Sequence, residues 1–311
     1  MGPKTEMYSQ LGEGAVMRIL VTGARGMLGT DLREQLIHHE VTAADHEYLD
    51  IADAAAVRRA VAGHDVVINA AAYTSVDEAE KNEDLAYRIN ADGPRYLAEA
   101  AKAGGARFLQ VSTDYVFDGT SPLPYSENAP LHPVSAYGRT KAAGERFVRS
   151  IYPDGTFIVR TAWLYGRNGS NFAGTMLTLA SSRQTIDVVS DQRGQPTWTR
   201  DLAVQIQRLL DCNAAPGIYH GTNSGDATWF DFAQAVFAEC GLDPSRIRAT
   251  DSASFAQSAR RPANSVLGHA AWRATPLPAM RPWRDALHDA ARTGVFEHLL
   301  TTRRSTMTDL E

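Results

Sequence analysis

From Arg18 onward, short apolar runs alternate with longer stretches in which apolar residues recur about every three to four positions. RILVTG predicts a first strand, and MLGTDLREQLIHH an amphipathic helix after it. EVTAAD and AAAVRRAVAG repeat the strand and the helix. DVVINAAAY reads as a third strand, and the segment DLAYRINADGPRYLAEAAKAG as a single helix. ARFLQVST and GTFIVRTAWLYG add strands on either side of a helix containing YGRTK. Continuous apolar strands separated by amphipathic helices specify an α/β fold whose doubly wound parallel sheet is covered on both faces. After about Tyr165 the alternation breaks down and Pro and Gly become frequent. NFAGTMLTLA, RDLAVQIQRLL and TWFDFAQAVFAEC predict helices of a smaller, interleaved C-terminal lobe. No internal repeat or low-complexity segment interrupts this order.

Composition narrows the function classes. A chain of 311 residues can bury a sizeable core in one large or two smaller domains. The net charge of −5 offers no basic face for nucleic acid. No apolar run approaches the ~20 residues that span a bilayer, so no membrane partner is expected either. The opening MGPKTEMYSQLGEGAVM lacks the apolar centre of a secretory signal. Cys212 and Cys240 are the only cysteines, too few for a disulfide framework or a thiolate zinc site. A reducing cytoplasmic setting follows as the expectation.

VTGARGMLG places Gly23, Gly26 and Gly29 between the first strand and the first helix. Glycine permits a tight turn there and lets backbone N–H groups approach a pyrophosphate, and the helix N-terminus adds partial positive charge. The strand–turn–helix context makes this a dinucleotide site of Rossmann type, with Arg25, Met27 and Leu28 in the same turn. Asp45 ends the second strand about 20 residues on, where a carboxylate bonds ribose hydroxyls and favours NADH. Arg25 and His46 pull the other way, toward the 2′-phosphate of NADPH, so the cofactor is NADPH or NADH. Asp50 and Ile51 are placed to cap the adenine, or else mark a helix N-terminus. Ala70, Ala71 and Ala72 follow the third strand, where small side chains let a cofactor lie against the backbone. The expected division is a flexible segment 1–16, a dinucleotide-binding domain 17–165, a mainly substrate-binding lobe 166–295 and a flexible tail 296–311.

Tyr137 and Lys141 in YGRTK stand four apart, which puts both on one face of a helix. Thr113 closes the fourth strand, at the sheet edge where doubly wound folds bind ligands. The trio suits carbonyl reduction. Tyr137 protonates the developing alkoxide, Thr113 bonds the carbonyl oxygen, and Lys141 holds the nicotinamide ribose and lowers the tyrosine pKa.

With these motifs in view, the chain resembles the extended short-chain dehydrogenase/reductase superfamily. Within it, INAAAYTSVDEAE, STDYVFDG, YGRTKAAGE, RTAWLYG, NFAGTML, DQRGQPT and ARRPANS resemble, in this order, the dTDP-4-dehydrorhamnose reductase family. The resemblance implies reduction of the 4-keto group of dTDP-4-dehydro-β-L-rhamnose to dTDP-L-rhamnose. It implies that Thr113, Asp114, Tyr137 and Trp163 meet the sugar, with Val76 close by. Without the resemblance, Trp163 reads as a core aromatic. Arg260 and Arg261 are candidates to grip the diphosphate, or are surface charges. Two positions depart from the family. Arg200 stands where some relatives carry a magnesium-binding glutamate, so no metal is expected. Tyr73 replaces a histidine on the sugar-facing side. A monomer or weak homodimer is expected.

Three rivals share the scaffold. A 4,6-dehydratase needs an Asp-Glu pair after the threonine, and here Asp114 is followed by Tyr115. A related reductase, such as a ring-contracting dTDP-dihydrostreptose synthase, remains open on sequence. The regulatory β subunit of methionine adenosyltransferase lacks the tryptophan of RTAWLYG and the DQRGQPT block, both intact here.

Overall fold

The computed structural model describes residues 16–212, 214–254 and 258–300. Most of the expected N-terminal segment and of the expected tail therefore lies outside the described residues. Six strands form the central sheet: β1 (Arg18–Thr22), β2 (Glu40–Ala44), β3 (Val66–Asn69), β4 (Arg107–Thr113), β5 (Thr156–Thr161) and β6 (Gly217–His220). Their spatial order is β6-β5-β4-β3-β1-β2, with every neighbouring pair parallel. The chain thus runs outward in opposite directions from the β1/β3 boundary. That reversal opens a crevice at the carboxyl ends of the strands, the place where such sheets bind ligands.

The two-residue period of the strands sorts their side chains between two apolar layers. Ile19, Val21, Ile68, Leu109 and Val159 pack against Leu28 and Leu32 of α1 (Met27–Gln35) and against Leu202 and Ile206 of a later helix, Thr199–Asp211. Leu20, Val67, Phe108 and Ile158 face the other way, onto Val57 of α2 (Ala54–Val61), Leu97 of α3 (Gly93–Gly104) and Val148 of α4 (Ala136–Ile151). Each buried aliphatic or aromatic side chain is worth about 1.5–3 kcal/mol, so these layers dominate the stability of the domain.

The sequence suggested one helix running to Gly104, but three segments are found. A short helix, Glu83–Tyr87, passes through a π-helical turn, Arg88–Asp92, into α3. Asn90 holds the turn: its side chain accepts from Tyr73 N at 2.8 Å and donates to Tyr73 O and Thr140 Oγ1 at 3.1 Å. α4 crosses close behind, and a Cβ on Gly144 would lie 2.2 Å from Asn90 O.

Beyond β5 the chain interleaves. The helices Phe172–Ala180, Trp229–Glu239 and Trp283–Arg292 build a second core around Tyr165, Phe232 and Trp283. The helix Thr199–Asp211 and β6 return to the sheet between them. Phe296, which the sequence assigned to the tail, is buried in the lobe core. Among the described residues no helix is long and apolar enough to cross a membrane.

Candidate active site

A cleft of about 940 Å³ runs along the crevice. The glycine turn forms one wall. Gly23 has φ +66°, a conformation that L side chains rarely adopt, and a Cβ on Gly29 would lie 2.1 Å from Gly23 O. α1 can therefore begin directly on the turn. Its N-cap, Gly26, makes no side-chain capping bond, so no protein side chain competes there for the helix N-terminus. Arg25, Met27, Leu28, Asp45, His46, Asp50, Ile51, Ala70, Ala71 and Ala72 line the same cleft as the three glycines. Such a cradle fits a dinucleotide. Asp53, not Asp50, caps α2 by accepting from Ala55 N and Ala56 N, which leaves Asp50 and Ile51 for the cleft. The two conflicting cofactor signals turn out to be partners: Arg25 Nε pairs with Asp45 Oδ2 at 2.6 Å, and its Nη1 with Glu47 Oε2 at 2.8 Å.

At the other end, Thr113, Tyr137 and Lys141 converge on the cleft. Ser135 caps α4, its hydroxyl accepting from Gly138 N at 3.2 Å, and this fixes the turn that carries Tyr137. The electrostatics differ from the sequence expectation. Burial pushes the Tyr137 phenol up to about 12, against the pull of the Thr113 hydroxyl and with the push of the Asp114 charge. Lys141 does not lower it. The ammonium is buried and donates to Val111 O at 2.7 Å, and burial depresses it to about 8 while the Glu145 charge holds it up. Asp114 is likewise raised by burial, to about 6, partly offset by the Ser265 and Thr113 hydroxyls. Its Oδ1 accepts from Thr113 Oγ1 at 3.0 Å, whereas Oδ2 has no bond of ordinary geometry.

Val76, Asp114 and Trp163 also line the cleft. Trp163 does so under constraint, with φ +45°, the one positive φ outside glycine among the described residues. Its indole stacks on Trp229 with centroids 3.5 Å apart and planes 8° from parallel. One indole face is therefore taken by protein, which leaves the other face and the edge to the cleft. Trp229 itself lines the cleft, and its Nε1 donates to Gln192 Oε1 at 3.2 Å. Nothing near it in the chain marks it beyond a helix start, the Thr228–Asp231 capping box. Three residues named from the sequence lie off the cleft. Arg260 is exposed and does not line the cleft. Arg261 is held by Asp77, with Nη1–Oδ1 2.9 Å and Nη2–Oδ2 2.6 Å, a pairing that anchors its loop. This pairing pulls Asp77 down to about 2. Tyr73 packs beside Tyr137 in a small cluster with Ala79, Ala86 and Ala136 and does not line the cleft.

Residues 17–295 match the family described as RmlD substrate binding domain. A dTDP-4-dehydrorhamnose reductase of Streptomyces griseus is 50% identical over 281 residues, covering 88% of this chain and 92% of that protein. A dTDP-4-keto-6-deoxy-D-glucose reductase of Streptomyces niveus is 48% identical over 277 residues, covering 88% and 96%. The crystal structure of the Bacillus anthracis dTDP-4-dehydrorhamnose reductase in complex with NADP superimposes with a TM-score of 0.85 at 38% identity, covering 89% and 99%. Fold, cleft and these likenesses agree: the chain belongs to the dTDP-4-dehydrorhamnose reductase family.

Proposed function

We propose that this protein reduces the 4-keto group of dTDP-4-dehydro-β-L-rhamnose to give dTDP-L-rhamnose, with NADPH or NADH as reductant. The observation that carries this reading is the convergence of the glycine turn with Thr113, Tyr137 and Lys141 on one cleft. When bound, a reduced dinucleotide supplies the hydride. The chain's residues supply the rest. The turn from Gly23 to Gly29 and the start of α1 receive the pyrophosphate, Asp45, Arg25 and His46 read the adenosine ribose, and Lys141 holds the nicotinamide ribose. The Thr113 hydroxyl, now donated to Asp114, turns to the keto oxygen. Tyr137 stays a neutral phenol at working pH and donates its proton to that oxygen as negative charge develops there. An alkoxide is more basic than a phenolate, so the transfer runs downhill. Asp114, Val76 and the edge of Trp163 bound the sugar. The same reading makes the enzyme a cytoplasmic monomer or weak homodimer, in keeping with its two unpaired cysteines.

The test is to supply dTDP-4-dehydro-β-L-rhamnose, follow loss of reduced-nicotinamide absorbance with each cofactor, and identify the product by NMR. No oxidation of either cofactor would sink the proposal. The relative named dTDP-4-keto-6-deoxy-D-glucose reductase favours a second reading, in which the unepimerised keto sugar is the substrate. A higher kcat/KM for that sugar would move the assignment to it.

A further inference from the structure

Behind the catalytic face lies a buried ion pair that touches neither the cofactor nor the sugar end of the cleft. Arg160 on β5 and Glu145 on α4 have side chains only 1% exposed. They bond bidentately, Arg160 Nη2 donating to Glu145 Oε2 at 2.7 Å and Nε to Oε1 at 2.9 Å. Arg160 Nη1 also donates to Glu127 O at 3.0 Å and lies 3.3 Å from His220 Nε2. Burial pushes His220 down to about 3, so the ring is neutral. With Nδ1 against Gly268 O at 2.6 Å, that nitrogen is assigned the proton and Nε2 the lone pair facing Arg160.

Two contacts turn this pair toward the site. The Ser112 hydroxyl donates to Glu145 Oε1 at 2.5 Å, and Ser112 lines the cleft immediately before Thr113. Tyr137, Lys141 and Glu145 are spaced by four along α4 and so share one helix face. The end of β4 is thus tied to α4 twice: at Val111 by Lys141 and at Ser112 by Glu145.

We propose that Glu145, held by Arg160, is a positioning residue for the reduction: it anchors Ser112 so that Thr113 faces Tyr137, and it sets a buried negative charge one helical turn behind the Lys141 ammonium. The proposal rests on the reductase reading given above. Glu145 is the charge that holds Lys141 up against burial. The other ionisable groups on elements around α4 are Asp92 and Arg95, which pair with each other, and Glu80 and Glu83, which pair with Arg139 on the outer side. Asp77, Glu78, Lys81, Asp84, Tyr87, Arg88, Tyr96, Glu99, Lys102, Arg107, Asp114 and Tyr115 lie on the same packed elements, and the Lys141 shift comes from burial and the Glu145 charge alone. Lys141 binds ribose as the ammonium, so the function it supports is present below its pKa and lost as pH rises through it. Removing the Glu145 charge lowers that pKa and brings the loss to lower pH.

The test uses Ser112→Ala and the double variant Glu145→Leu/Arg160→Met, because buried ion pairs often tolerate apolar replacement of similar volume. Reduced-cofactor binding by fluorescence and kcat/KM for the keto sugar are both followed from neutral to alkaline pH, with thermal melts confirming the fold. The double variant should move the alkaline limb of both profiles down by about one pH unit. Ser112→Ala should leave the limb in place and lower kcat by about tenfold, through misplacement of Thr113. If the double variant does not fold, Glu145→Gln/Arg160→Met carries the same charge test, since the amide keeps an acceptor for Ser112 and no buried charge is left without a partner. A limb at the wild-type pH in the folded charge-deleted variant, or wild-type turnover in Ser112→Ala, overturns the positioning role. A wild type that binds cofactor yet reduces no sugar would sink the reductase reading alone, because the binding profile does not depend on the sugar.

Discussion

Replacing Gly194 by alanine should disable the sugar end of the cleft without touching any residue of the catalytic trio. Gly194 sits in a two-residue strand, Arg193–Gly194, paired antiparallel with Ala227–Thr228, the segment that launches the helix carrying Trp229. A Cβ there would lie 2.4 Å from Trp163 Cε2, whereas ordinary contacts begin at 3.4 Å. The indole must therefore give by about 1 Å, and it has little freedom to do so, being stacked on Trp229 and held at positive φ. Overpacking of this kind costs about 1–3 kcal/mol of stability. A displacement near 1 Å at a substrate-positioning group costs about 10²-fold in rate, so kcat/KM for the dTDP-sugar should fall by about that factor. Reduced-cofactor binding should stay at the wild-type level, because the glycine turn lies at the opposite end. The assay pairs steady-state kinetics with near-UV circular dichroism, in which two indoles stacked at 3.5 Å give a coupled signal that displacement weakens. Adding Trp163→Phe, with its smaller ring, should recover the melting temperature but not the turnover. Wild-type kcat/KM with an intact indole signal in Gly194→Ala would refute the reasoning and detach Trp163 from the sugar.

Tyr137→Phe should lower kcat by about 10² to 10⁴ with fold and cofactor binding retained, the usual loss for a removed acid, and wild-type turnover would end the proton-donor assignment. Asp45→Ala removes the carboxylate at the ribose and leaves Arg25 paired with Glu47 alone, so NADH should bind more weakly while NADPH binds equally well or better; equal losses in cofactor titrations would mean Asp45 does not read the ribose. Activity should survive exhaustive chelation, and magnesium should leave the sedimentation behaviour unchanged, because Arg200 is a poor neighbour for a hard cation; activity lost in EDTA and restored by magnesium would contradict this.

What could be seen in the sequence is what depends on spacing. The two-residue period of the strands and the 3.6-residue period of the helices are local, and they sort Ile19 and Leu20 onto opposite layers as written. The glycine turn and Tyr137–Lys141 are local too, and the fold brings them to one cleft. The misses share a different cause. Asp77, which claims Arg261, is 184 residues away along the chain, and Trp229, which claims one face of Trp163, belongs to another element of the lobe. No pattern near either residue announces its partner. The π-helical turn was hidden for the same reason, since Asn90 is fixed by Tyr73 and Thr140 from outside its own helix.

The tyrosine shows most clearly why spacing does not settle chemistry. A lysine four residues on suggests a phenol drawn toward phenolate, as an exposed pair in water would be. Inside the fold both groups lose water, and the loss acts on them in opposite directions: the phenol is raised to about 12 and the ammonium lowered to about 8. Each shift favours the uncharged form, and the lysine's charge does not offset what burial does to the tyrosine. For carbonyl reduction this is the useful direction. A proton donor must still hold its proton when the hydride arrives, and a phenol resistant to ionisation gives it up only when a stronger base, the new alkoxide, forms within reach. Burial of Tyr137 thus keeps the phenol ready as a donor, and the buried Glu145 charge decides how far the lysine can follow the phenol into neutrality before it loses its grip on the ribose.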